Sequence, residues 1–257
     1  MGRAVDWTGF AVRDFAPEWV EAARAEWLRR VHTEFRSIQI MTRFLEEVVA
    51  AGDPVDVYAS AVDAVRDEIR HVALCAEVCA RLGVEATLPS PVPEPVPERF
   101  RTAPPADRAS STALSMLAIN ETISVAFIGD LAQRCSTPGI REVLQQTIAD
   151  EDAHGDFGWD YVTASLSRYP DATLSSWRHL VQTTLAPHLR HAQLTLAELP
   201  EEQRHLEAHP DVEEVRLGLF SPARQALIFQ RVWETDLRPR LARSNLLEDP
   251  DQGFQAE

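Results

Sequence analysis

Asp67-Glu68-Ile69-Arg70-His71 is the stretch on which the fold turns. In a helix, side chains three apart leave one face about a turn from each other, so Glu68 and His71 would present a carboxylate and an imidazole together. The same spacing returns at Asp150-Glu151-Asp152-Ala153-His154. Ahead of each copy stands a lone glutamate, in His32-Thr33-Glu34-Phe35-Arg36 and in Ile119-Asn120-Glu121-Thr122. Glu68 follows Glu34 by 34 positions and Glu151 follows Glu121 by 30, both suited to a helical hairpin.

Around these segments the pattern is helical and no strand is expected. A first helix spans Glu18 to Ala51, and Gly52-Asp53-Pro54 stops it. A second runs from Pro54 to Leu82 and ends at Gly83. Val84 to Asp107 is proline-rich and reads as an extended crossover. A third helix covers Ser110 to Cys135, and Thr137-Pro138 opens a fourth that continues to Arg168. Two more regions, Ser175 to Leu199 and Asp211 to Arg243, follow an acidic turn apart, with Pro187, Pro222 and Pro239 expected to kink or interrupt them. Two short links and one long one give an all-α four-helix bundle with a single crossover. Residues 1–170 would hold the bundle and an N-terminal extension. Residues 171–247 would supply helices that cover it, roof a pocket or build a homodimer interface, and 248–257 a flexible tail.

The apolar surroundings give the glutamates their meaning. Trp27, Val31, Ile38, Met41 and Leu45 share a face with Glu34; Leu114, Leu117, Val125 and Ile128 share one with Glu121; Ala61, Ala64, Val72 and Cys75 flank Glu68 and His71. Each isolated charge buried in such a core costs several kcal/mol or more. Two divalent cations would balance four carboxylates and use both imidazoles, so the expected metal ligands are Glu34, Glu68, His71, Glu121, Glu151 and His154. Metal-bound histidines donate their other ring N–H to a carboxylate, a carbonyl or water. Asp67 and Asp150 are placed for that, each serving the histidine of the other motif.

Composition narrows the classes. Across 257 residues, 45% hydrophobic and 25% charged content is ordinary for a soluble globular protein, and ten glycines with 7% aromatics favour helix. A net charge of −15 argues against a nucleic-acid partner. All 25 basic residues are arginine, which excludes Schiff-base chemistry. No uninterrupted apolar run has the roughly 18 residues of a membrane span. Met1 to Phe15 lacks the apolar core of a signal peptide. The expectation is a cytoplasmic protein without a membrane partner. Cys75, Cys79 and Cys135 read as buried small hydrophobes.

From Glu18 to about Tyr161 these motifs resemble the ferritin-like di-iron carboxylate superfamily, whose ligands are two Glu and two Glu-x-x-His. The form at Asp67 to His71 is similar to that of di-iron monooxygenases, while the size and spacing are closer to small stand-alone bacterial ferritin-like proteins. The resemblance implies two Fe ions, or Mn or a mixed pair, with O₂ as co-substrate. It implies oxidation of a small-molecule substrate, without choosing among hydroxylation, desaturation, N-oxygenation and C–C cleavage. The alternative is a ferroxidase or metal-handling protein with no organic substrate. With no flavin or Fe–S motif, electrons would come from a partner protein, a small reductant or the substrate. No rubredoxin-like cysteine module is present, and neither Tyr58 nor Tyr161 is well placed as a radical site.

Smaller features leave two readings each. Gly155 and Gly158 make room either for substrate or O₂ beside the metals or for close helix packing. Thr33, Ser37, Thr122 and Ser124 either orient bound oxygen or bond back to their helices. His188 and His191 either join a metal site or lie at the surface. Arg70 is expected to pair with an acidic neighbour.

Overall fold

A computed structural model describes residues 4–90, 101–169, 171–209 and 213–247. All the regular structure in these residues is helical. Helix α1 spans Pro17–Ala51 and α2 spans Val55–Arg81. A continuous rod follows in three parts, α3 (Pro105–Thr112), a π-helical segment (Ala113–Asn120) and α4 (Glu121–Arg134). Helix α5 is Pro138–Leu166 and α6 is Asp171–Glu198. The C-terminal region breaks into α7 (Glu213–Arg216), α8 (Pro222–Val232), a π-helical turn (Trp233–Leu237) and α9 (Arg238–Arg243).

The ends follow local chemistry. Pro17, Pro105, Pro138 and Pro222 stand in first turns, where no intrahelical N–H is needed. Gly52 closes α1 in the left-handed region at φ 72°, its N–H reaching the carbonyls of Val48 and Val49. Two departures from the sequence reading stand out. The third helix begins at Pro105, not Ser110, so the crossover is shorter than expected. The C-terminal region is a series of short helices, interrupted before Pro222 as expected there, with breaks more numerous than the prolines alone suggest. Pro187 lies inside α6 without ending it. The centre of the crossover, 91–100, and the tail from Glu248 lie outside the described residues.

Helix α1 packs along α2, α4 and the π segment pack along α5, α1 meets α3, and α2 meets α5. Helix α6 packs on α8 and on the π segment, and α8 on α4, so the C-terminal helices cover the earlier ones. The apolar interior falls into two clusters. One holds Met41, Phe44, Ala61, Ala64, Leu117, Trp159 and Val162; the other holds Trp27, Val31, Cys75, Val78, Leu131, Val143 and Leu144. On α1, α2 and α5 the residues Glu34, Glu68, His71, Glu151 and His154 lie between the two. On α4, Glu121 sits two positions before Ile123, a member of the first cluster.

The rod from Pro105 to Arg134 is long and apolar enough to cross a membrane by length and composition alone. Its window averages a mean hydropathy of 1.4, although no uninterrupted apolar run produces it, and 44% of it is buried in this fold. Leu114, Leu117, Ala118 and Ile119 are fully enclosed, which is the position of a core helix.

The π segment fits against α5 because Gly158 has no side chain. A Cβ there would lie 2.5 Å from the carbonyl carbon and Cβ of Leu117 and 2.6 Å from the Ala118 nitrogen. Gly158 therefore serves close packing, whereas a Cβ on Gly155 would meet Glu121 Cβ at an ordinary 3.9 Å. In denaturant unfolding, Gly158→Ala is expected to cost about 1–3 kcal/mol, the usual penalty of overpacking, and Gly155→Ala much less. Equal stability of the two variants would contradict this packing.

Candidate metal centre

The structure brings all six predicted ligand residues together. Ligand atoms of Glu34, Glu68, His71 and Glu151 lie within 4.8 Å of one another, and so do those of Glu68, Glu121, Glu151 and His154. The residues common to both groups are Glu68 and Glu151, the glutamates of the two Glu-x-x-His segments. Glu34 and Glu121 each belong to one. The spacing suggests that the lone glutamates Glu34 and Glu121 bridge or terminate a metal pair, whereas the carboxylates common to both groups are those of Glu68 and Glu151.

Helical register produces the arrangement. His71 Nδ1 stands 3.6 Å from Glu68 Oε2, 3.3 Å from Glu151 Oε1 and 3.9 Å from Glu34 Oε2. His154 Nδ1 stands 3.1 Å from Glu151 Oε2. In both histidines the opposite nitrogen faces an aspartate across the helix pair. His71 Nε2 is 2.9 Å from Asp150 Oδ2, and His154 Nε2 is 3.4 Å from Asp67 Oδ2. Arg70 ties the two aspartates together, pairing with Asp67 at 3.3 Å and with Asp150. An Nε2–H donated to an aspartate leaves the Nδ1 lone pair aimed at the carboxylates, as metal ligation requires.

Burial makes this cluster costly without a cation. Glu68, His71, Glu121, Glu151 and His154 are 0–6% exposed, while the Glu34 side chain keeps 15%. Both Glu68 oxygens and His71 Nδ1 are enclosed without a hydrogen-bond partner among the described residues. Burial, followed by the charge of Glu151, pushes the Glu34, Glu68 and Glu121 carboxyls up, the last two strongly. Burial acts the same way on Glu151, but the His154 and His71 imidazoles beside it outweigh it and hold that carboxyl at about 2. For His71 burial alone would lower the imidazole, yet the neighbouring Glu151 carboxylate raises it. Among the four, Glu151 is thus the carboxylate whose neighbours outweigh its burial. Unpartnered oxygens on a buried glutamate, beside an imidazole nitrogen with an unused lone pair, fit hard-to-borderline divalent metals.

The remaining candidates separate. Thr33 Oγ1 bonds back to the Arg29 carbonyl at 3.1 Å, and Thr122 Oγ1 to that of Ala118 at 2.7 Å while accepting from Trp159 Nε1 at 3.0 Å. His32 meets the Thr87 carbonyl. His188 and His191 join neither group; His188 stacks on Phe229 at 5.5 Å. Tyr161 donates to Asp53 Oδ2 at 2.6 Å, and Arg168 bonds the same carboxylate. The three cysteines are free and buried.

Two features escaped the sequence. The π segment ends directly at Glu121, and such bulges often accompany functional sites. A cavity of about 570 Å³ reaches Glu34, roofed in part by Glu214, Leu219, Phe220 and Gln225. Comparison with protein-family models, with curated proteins and with solved structures yields no match.

Two predictions follow from the electrostatics. Above pH 4.5, the ordinary glutamate value, the raised carboxyls hold protons that the unfolded chain has released, and His71 does the same above 6.5. The metal-free protein should therefore lose stability as pH rises from about 5 to about 8, since folding then binds protons. Glu151 works oppositely, but only below 4.5, towards about 2. Added Mn(II) replaces those protons, so the melting temperature of the loaded protein should fall less or rise over the same range; parallel curves would contradict the assignment. Separately, Asp150→Asn is expected to weaken metal affinity about 10–100-fold with helicity unchanged.

Proposed function

We propose that this chain is a ferritin-like dimetal protein in which a four-helix bundle holds two iron-type ions for O₂-dependent oxidation of a small molecule. The observation that carries the reading is the pair of overlapping ligand groups sharing Glu68 and Glu151, with Glu68 oxygens buried and without a hydrogen-bond partner among the described residues. Helix α1 with α2, and the rod with α5, would be the two hairpins of that bundle.

Two ferrous ions bound there would supply electrons for dioxygen reduction. The chain's own residues supply the rest. Asp67 and Asp150 fix the histidine tautomers, and Arg70 holds the aspartates in place. The apolar clusters on either side exclude water. Helix packing sets the spacing of the glutamates before any ion arrives, so little reorganisation accompanies binding. The cavity at Glu34 favours an organic substrate over simple ferrous oxidation, because a ferroxidase has no use for a chamber of about 570 Å³. Electrons beyond those of the metal pair would come from an external donor or the substrate.

Anaerobic loading with Fe(II) is expected to give about two equivalents per chain. Glu34→Ala and Glu121→Ala should each lose about one, and Glu68→Ala, shared by both groups, should lose more than either. Less than about one equivalent in the unaltered chain would sink the dimetal reading. Exposing the loaded protein to ¹⁸O₂ with a small-molecule extract should then yield an oxidised organic product. A ferric protein with no organic product would favour the ferroxidase alternative.

A further inference from the structure

The cavity beside Glu34 lies at one end of the metal cluster, and every helix of the cluster helps to form it. Cys75 is four residues after His71, Ser124 three after Glu121, and Thr147 four before Glu151, and all three line the cavity with Glu34. They form its floor, a helical turn from the ligands. Trp19, Phe127, Ile128 and Leu144 give it apolar walls. The roof is held down by α1. Trp27 Nε1 donates to the Leu217 carbonyl at 2.9 Å, and Arg30 donates to that of Gly218 at 2.7 Å while lying over the Trp27 ring. Gly218 has φ +75°, and a Cβ on it would meet the Trp27 ring at 2.9 Å.

The charges lining this chamber are not equivalent. Arg29 is bonded to both oxygens of Glu26, at 2.8 and 2.7 Å, and is 65% exposed at the rim. Arg30 bonds the same carboxylate at 3.1 Å, besides its bond to the roof. Glu34 belongs to the metal cluster. That leaves Glu214, half-buried in the roof, whose carboxylate has no hydrogen bond or ion pair among the described residues. Arg134, the charge that acts on it, is bonded to Asp130 at 3.0 Å. The Gln225 amide lines the same chamber, with no side-chain hydrogen bond among the described residues. A lone carboxylate over apolar walls is complemented by one kind of ligand group, a cation with N–H donors.

We propose that the cavity binds small primary amines of apolar or aromatic body, whose ammonium group pairs with Glu214 in the roof while the body extends down to Glu34. The amine is an anchor and the oxidisable part is the end next to the metals. As a substrate assignment this rests on the dimetal oxidase reading; as a binding site it does not.

Three isosteric probes test it by calorimetry on the iron-loaded, anaerobic protein: 3-phenylpropylamine, 3-phenylpropanol and 3-phenylpropanoate. The amine is expected to bind at least about ten-fold more tightly than the alcohol, as a close ion pair in a shielded site would give, and the carboxylate most weakly. Glu214→Gln should abolish the amine's advantage while leaving alcohol binding and metal content unchanged. A preference for the carboxylate, an amine preference that survives Glu214→Gln, or no binding of any probe would overturn the proposal. Metal content measured on the same samples separates the two readings. Two metals without amine preference refutes the cavity assignment alone, and amine preference without metal uptake refutes the dimetal centre alone.

Discussion

Four carboxylates and two imidazoles share one buried layer, and the rest of the molecule is arranged around that concentration of charge. Left to themselves the groups compete for protons: Glu151 keeps its charge by drawing on both histidines, and Glu34, Glu68 and Glu121 are forced towards neutrality. The layer is expensive because it is dry, with Glu68 1% exposed and His71 fully enclosed. Cations relieve that cost without adding a single protein contact. The same dryness makes the layer useful, because interactions within it are weakly screened.

The surrounding architecture holds the layer open. Apolar clusters above and below it supply the packing that fixes the helices, so the ligands are not asked to hold the fold together. The Asp53 carboxylate bound by Tyr161 and Arg168 fastens the start of α2 to the end of α5, far from the charges. Gly158 lets the π segment press onto α5 just before Glu121. Trp27 and Arg30 clamp the C-terminal segment over the opposite end. Helix pairs that run past one another place a turn of each beside the Glu and His cluster, and a chamber results there.

Much of this was legible in the residues, and the boundary has a physical cause. Helix starts at prolines and ends at Gly52 and Gly83 are decided within a few residues, so α1, α2 and α5 fall within a few positions of the expected bounds. The two Glu-x-x-His pairs emerge from spacing because residues three apart share a face of an α-helix, and Glu34 and Glu121 from the apolar faces around them. The π segment does not emerge, since widening a helix is settled by what packs against it. Prolines announced an interruption of the C-terminal region, but the turn at Leu217 and Gly218 did not emerge, since it is held by bonds to Trp27 and Arg30, nearly two hundred positions earlier. Nothing in its local sequence distinguishes Glu214, and only the roof it joins makes its missing partner meaningful. Averaged hydropathy of the central rod was equally uninformative without its burial.

The central claim is that Glu68 and Glu151 stand between two metal ions. A crystal of the Fe(II)-loaded protein, with anomalous data collected on both sides of the iron edge, tests it directly. The account predicts two iron peaks about 3.5–4 Å apart, the separation typical of dimetal sites. One should lie among Glu34, Glu68, His71 and Glu151, the other among Glu68, Glu121, Glu151 and His154. No peak in this layer, or iron bound elsewhere with Glu68 and Glu151 unligated, would contradict it.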